Sequence, residues 1–253
     1  MIKVKKNKLV EAFFYWWTHR TLGKLFAAHH VRGMENIKQL NPNIPVVFYA
    51  NHSNWWDGLL CFYFTYKIFR IDTMLMMDIL QLRKHPFFKW IGAFSVDREN
   101  KRKALESIRY CISELASKRR EALWIYPQGV MLPNDTRPIC FYPGIAHIIK
   151  GLKQVQLVSV VHRYEFIKEQ RPEIFTHFSP IELIDNTQSI DSEIVTERMQ
   201  QQLLLNLEAL KEDVITLRLS DFTTLQQGQK SISQSYDFSS SKNNSVAETT
   251  PKG

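Results

Sequence analysis

Apolar residues in this chain fall into short unbroken blocks separated by longer stretches with helical spacing. Val46-Val47-Phe48-Tyr49 follows the turn-forming Asn41-Pro42-Asn43-Ile44-Pro45, and Ala122 to Tyr126 is a second block, stopped by Pro127. Runs of this length with no polar alternation predict strands buried on both faces. Met74 to Met77, Phe94-Ser95-Val96, Val155 to Val161 and Phe175 to Phe178 read the same way. Between them the spacing predicts helices over Trp55 to Arg70, Ile79 to Lys84 (ended by Pro86), Asn100 to Lys118, Gly144 to Gly151 and Ser192 to Glu212. In the third of these, Leu105, Ile108, Ile112 and Leu115 share one face opposite the charges. Strands alternating with helices predict an α/β fold whose central sheet is mostly parallel and flanked by helices.

Composition changes this picture at the two ends. From Gln226 to Gly253 the chain is Gln, Ser, Lys, Asn and Thr with almost nothing to bury, so 226–253 is expected to be a disordered polar tail. The formal charge of +8 is concentrated at the start, where Met1 to Gly33 carries seven Lys and Arg against Glu11 alone. Beside those cations stands the aromatic run Phe13-Phe14-Tyr15-Trp16-Trp17, continued by Leu22, Leu25 and Phe26. Aromatic rings at head-group depth with cations meeting phosphates suit an amphipathic helix on an anionic membrane surface. Residues 1–40 are therefore expected to form a basic, aromatic, helical membrane-association segment; a core helix with a solvated basic start fits the same residues. The run is too short and too charged to span a bilayer, which takes roughly 20 apolar residues, and it lacks a signal-peptide cleavage site. Cys61, Cys111 and Cys140 are scattered and form no C-x-x-C pair, which fits a reducing compartment and argues against structural zinc. Nucleic acid is not an expected partner, because the aromatics cluster in one apolar helix instead of interleaving along a basic groove.

In parallel sheets, chemistry collects in the loops at the carboxyl ends of the strands. Three unusual stretches follow predicted strands here: Asn51 to Asp57, Asp97-Arg98 and Pro127-Gln128-Gly129. In the first, an imidazole and a carboxylate stand five positions apart. An imidazole can take a proton from a hydroxyl near pH 7 if a partner fixes its tautomer. Five positions on a regular helix are about 140° apart. A His52–Asp57 contact thus requires His52 in the loop and Asp57 in the first helical turn, with Ser53 and Asn54 as caps and the helix dipole favouring the carboxylate. On spacing alone the same residues read more readily as a capping cluster around a loop histidine. No G-x-S-x-G elbow supplies a hydrolase nucleophile.

The ordered set carries a resemblance. Asn51-His52 with Asp57 is similar to the His-x4-Asp motif of the glycerolipid acyltransferases, the family of 1-acylglycerol-3-phosphate and lysophospholipid acyltransferases. Gly92-Ala93-Phe94-Ser95-Val96-Asp97-Arg98 resembles the second block, Tyr126-Pro127-Gln128-Gly129 stands in place of Phe-Pro-Glu-Gly-Thr-Arg, and Phe141 to Ala146 looks like the helix start that follows. The resemblance implies an acyltransferase domain over 41–218 in which His52 activates the acceptor hydroxyl and Asp57 orients it. The hydroxyl then attacks an acyl-CoA or acyl-carrier-protein thioester directly. It further implies acceptor binding by Arg98, Gln128 and Gly129, a lysolipid acceptor such as lysophosphatidic acid, and no cofactor beyond the acyl donor; a single His with a single carboxylate argues against a metal, and reduced cysteines with soluble acyl donors suggest the cytoplasmic face of a membrane. The third block departs at Gln128, Val130 and Met131, where Glu, Thr and Arg are usual, and Ser159 stands where a proline is usual. Arg137 is the candidate to replace the missing cation. A weakened phosphate clamp also fits a glycolipid or carotenoid-glycoside acceptor, or a non-catalytic membrane lipid-binding relative.

Overall fold

The unbroken apolar blocks become the centre of one mixed sheet. In the computed structural model, which describes residues 1–167 and 169–229, strands β1 (Ala28–Arg32), β2 (Val46–Ala50), β3 (Thr73–Asp78), β4 (Ala93–Val96), β5 (Ala122–Ile125), β6 (Val155–Glu165), β7 (Glu173–Phe178), β8 (Glu182–Ile184) and β9 (Thr223–Gln227) are ordered β4-β3-β5-β2-β6-β7-β1-β9, with β8 beside β6. The pairs β3–β4, β3–β5, β2–β5, β2–β6 and β1–β7 are parallel. The pairs β6–β7, β6–β8 and β1–β9 are antiparallel.

Helices cover both faces. Val47, Tyr49, Leu123 and Ile125 point to the layer of α5 (Lys101–Ala116), α6 (Gly144–Lys150) and α7 (Ser192–Ile215). Their neighbours Val46, Phe48, Ala122 and Trp124 point to the layer of α1 (Lys8–Leu25) and α3 (Asp57–Tyr63). Strands buried on both faces are the physical reason the blocks lack polar alternation. Two shorter helices, α2 (Met34–Ile37) and α4 (Ile79–Lys84), complete the set.

Four expectations change. The helix expected over Trp55–Arg70 is α3 followed by a π-helical turn, Phe64–Phe69, ended by Arg70 at φ 56°. Residues 1–40 are not helical throughout, because Ala28–Arg32 is a strand inside the sheet, hydrogen-bonded to β7 and β9. The polar tail begins later than 226: Gln226 and Gln227 belong to β9, and Gly228 and Gln229 donate to the carbonyls of Ala27 and Gly23. The rest of the expected tail, 230–253, lies outside the described residues. Helix α1, expected to be amphipathic, is apolar on two sides. Phe14 and Leu22 are buried against α3 and the sheet, while Leu9, Phe13 and Trp16, spaced four and three apart, face outward. Among the described residues no helix is long and apolar enough to cross a membrane.

The chain start is held along the open side of β4. Ser95 N–H donates to the carbonyl of Ile2 (2.9 Å), the N–H of Ile2 donates to Ser95 Oγ (2.7 Å), and Lys5 and Asn7 donate to the carbonyls of Lys89 and Trp90. Lys6 pairs with Glu11 (3.5 Å) and Asp72, so part of the basic cluster is spent inside the protein. Burial pushes the Glu11 carboxyl above its usual range, and Lys6 works against that shift.

Candidate active site

Strand β2 ends at Ala50, and the chain leaves the sheet in an irregular loop, 51–56, before α3 begins at Asp57. This meets the requirement set by the spacing: His52 lies in the loop and Asp57 in the first helical turn. His52 Nδ1 and Asp57 Oδ2 are 2.9 Å apart. The Asp57 carboxylate is fully buried. Its Oδ2 also accepts the N–H groups of Ser53 (2.7 Å) and Asn54 (2.8 Å), and Oδ1 accepts the hydroxyl of Tyr164 (2.6 Å). The expected capping is thus inverted. Trp56 occupies the N-cap of α3 with no side-chain bond, and Asp57 reaches back to bind the loop that precedes it. A buried carboxylate needs such donors, since a buried charge without partners is strongly disfavoured.

The loop is fixed from three other sides. Asn51 Nδ2 donates to the carbonyl of His162 (3.0 Å) and its Oδ1 accepts the N–H of His162 (2.8 Å), tying the end of β2 to β6. Gln128 Oε1 accepts the N–H of His52 (3.0 Å). The Tyr126 ring stacks on the imidazole with centroids 4.4 Å apart, and its hydroxyl donates to the carbonyl of Asp57 (2.6 Å). Burial holds the Tyr126 phenol well above its usual value, so it remains a donor. His52 Nε2 has no protein partner among the described residues, and the side chain is about a quarter exposed (23 %). With Nδ1 facing a carboxylate, Nε2 is the nitrogen left to accept a proton.

Arg98, in the loop after β4, lies against Gly129, in the loop after β5. Gly129 has φ +69°, and a Cβ there would sit 2.4 Å from Arg98 Nη1 and 2.7 Å from the Tyr142 ring. Only glycine lets the backbone come this close. The guanidinium lies over Tyr142 (5.2 Å to the centroid) and 3.7 Å from Asp78, while its Nη1 is buried with no hydrogen-bond partner among the described residues. A buried, unpartnered cationic N–H is a place for an anion. Gln128 and Gly129 therefore link two features: one bonds the His52 backbone, the other touches Arg98.

Arg137 is placed elsewhere. Its Nη1 donates to the carbonyls of Asn134 (2.8 Å) and Thr136 (2.9 Å), and Nε and Nη2 bond Glu208 on α7. The carbonyls of its own turn and an acid on α7 hold it as an anchor of the 130–138 loop, where it does not supply the cation that Met131 lacks. Met131 itself is exposed. Spacing gave no sign of Tyr164; Asn51 and Tyr126 were visible only as members of their blocks, without the bonds they make here.

A cavity of about 760 Å³ lies on the α1 and α3 side of the sheet, and neither His52 nor Asp57 lines it. Gly58 lines it with open space where a Cβ would be, together with Cys61, Phe62, Tyr66, Leu75 and Ile91. The charged cluster of Lys6, Glu11, Asp72 and Arg120 lines it as well. Among the described residues no three His, Cys, Asp or Glu side chains converge as metal ligands.

No curated protein matches the chain. One family's model, Acyltransferase, matches residues 28–163. That span is more than half of the 253 residues and runs from β1 through the loops carrying His52, Arg98 and Gln128, so the chain belongs to this family of glycerolipid acyltransferases.

Proposed function

We propose that the protein transfers a fatty acyl chain from acyl-CoA or acyl-carrier-protein to the hydroxyl of a lysolipid at a membrane surface, with lysophosphatidic acid or a related lysophospholipid as acceptor. The observation that carries this reading is the His52 Nδ1–Asp57 Oδ2 contact at 2.9 Å, with Nε2 unpartnered among the described residues. Nε2 takes the proton of the acceptor hydroxyl as the oxygen attacks the thioester carbonyl. The tetrahedral intermediate collapses by breaking C–S, and the departing thiolate recovers that proton from the imidazolium. Arg98, with its unpartnered Nη1, holds the acceptor's phosphate. The cavity beside Gly58 takes the acyl chain along its apolar wall.

A glycolipid acceptor is the second reading. It is favoured by the engagement of Arg137 with Glu208, which leaves Arg98 as the cation beside Gly129. The test is transfer of labelled acyl groups from both donors to a panel of lysophospholipids and glycolipids. Arg98→Ala is expected to raise KM for phosphate-bearing acceptors by roughly 10- to 100-fold, the worth of a charge-assisted hydrogen bond, and to leave uncharged acceptors unaffected. Equal loss on both acceptor classes would remove the phosphate role; transfer only to glycolipids would replace the first reading by the second.

The outward stripe Leu9, Phe13 and Trp16 on α1, beside Lys8 and Arg20, supports docking on the cytoplasmic face of an anionic bilayer. Burying an aromatic side chain contributes about 1.5–3 kcal/mol. The double variant Phe13→Ser, Trp16→Ser is therefore expected to bind vesicles containing phosphatidic acid or phosphatidylserine about tenfold or more weakly. Sedimentation identical to wild type would show that this stripe does not face the lipid.

A further inference from the structure

Strand β6 is eleven residues long and β2 is five. Their parallel register pairs Ala50 with Val160, so Val161 to Glu165 project beyond the end of β2, held there by antiparallel bonds to β7. Val158 and Val160 face the α3 layer, and the alternation of a strand puts His162 and Tyr164 on that same side. Tyr164 consequently stands over the loop that carries His52. The antiparallel register fixes its height against Ile174, and its ring packs at 5.9 Å from Phe26.

The consequence is a division of labour on one carboxylate. Oδ2 of Asp57 carries the contact to His52 and two backbone N–H groups, while Oδ1 accepts from Tyr164 alone among the described residues. A carboxylate held on one oxygen only can rotate. We propose that Tyr164 is a positioning residue for acyl transfer: its hydroxyl fixes Oδ1 so that Oδ2 stays on Nδ1 of His52 and Nε2 stays free for the acceptor's proton. This rests on reading His52 as the base. Burial, followed by the negative charge of Asp57, holds the Tyr164 phenol well above its usual value, so it stays a donor. Tyr164 lies one residue past the segment matched by the family model, which ends at 163.

The test compares full-length wild type, Tyr164→Phe, Asp57→Ala and the double variant. Tyr164→Phe is expected to lower kcat about 10- to 100-fold, the effect of removing a hydrogen bond to a charged group, with KM for donor and acceptor unchanged. In the Asp57→Ala background the same substitution is expected to cost almost nothing, because residues acting as one unit are not additive. The second readout needs no turnover. Nitrogen-15 chemical shifts of the His52 ring are expected to show a proton on Nδ1 in wild type and a mixture of the two tautomers in Tyr164→Phe. An unchanged tautomer, an unchanged kcat or an equal loss in both backgrounds overturns the proposal. A wild type that transfers nothing overturns the proposed reaction instead, and the ring shifts still decide the role of Tyr164.

Discussion

His52→Ala is expected to lose acyl transfer by about 10²- to 10⁴-fold, the range over which a positioned general base acts. The side chain is partly exposed, and its one polar bond among the described residues is the contact to Asp57. Its removal leaves the backbone bond from His52 N–H to Gln128 Oε1 in place, so folding is expected to be nearly unaffected. A large fall in kcat at an unchanged melting temperature is the signature of a group that handles the proton. A variant retaining most of its activity would mean that the acceptor hydroxyl is activated by another group, and the reading of Nε2 as the base would fall with it.

Asp57→Ala is expected to damage both activity and stability, and in this it differs from His52→Ala. The carboxylate is fully buried and accepts from two backbone N–H groups, a phenol and an imidazole. Removing it strands the two N–H groups and the Tyr164 hydroxyl. Each unsatisfied buried group costs about 1–3 kcal/mol, and exchange with entering water lowers that sum. A net loss of roughly 2–4 kcal/mol lowers the melting temperature of a chain this size by about 5–15 °C. Asp57→Asn keeps the shape and an acceptor oxygen, so it is expected to melt closer to wild type while losing comparable activity, because an amide cannot stabilise the imidazolium. Calorimetry of the three proteins checks this ordering. If Asp57→Ala melts at or above wild type, the carboxylate is a strained catalytic group and not the organiser of the loop.

The central strands were legible because their reason for existing is local. Val46 to Ala50 and Ala122 to Ile125 are buried on both faces, and an unbroken apolar run is the direct trace of that. Strand β1 leaves no such trace. Its sequence, Ala-His-His-Val-Arg, satisfies three polar side chains with partners far along the chain: His29 with Thr176, His30 with Glu173 and Arg32 with Asp213. Strand β9, Thr-Thr-Leu-Gln-Gln, is an edge strand with polar side chains and resembles a loop for that reason. The π turn after α3 was hidden because apolar spacing over Phe62 to Phe69 does not separate one helical winding from another. At the site, the His52–Asp57 contact followed from spacing joined to the requirement of a loop, and Arg98 came with its block. Tyr164 could not be read, because its partner lies 107 positions away and no periodicity marks a phenol as a donor. Arg137 is the converse case: a cation close in sequence to the third block pairs with Glu208, a partner that sequence distance hides.

The strap formed by the first seven residues has a consequence for how the molecule avoids its own kind. The main path of the sheet ends in β4 and β9, strands whose free N–H and C=O groups invite another chain to add to them. The β9 side presents Thr and Gln to water. The β4 side, Ala-Phe-Ser-Val, is apolar and would be the more adhesive border, and Ile2 occupies it through Ser95. Deleting residues 1–7 is expected to leave the His52 loop intact and to bare that border, so that the shortened chain self-associates through strand addition more than the full chain does.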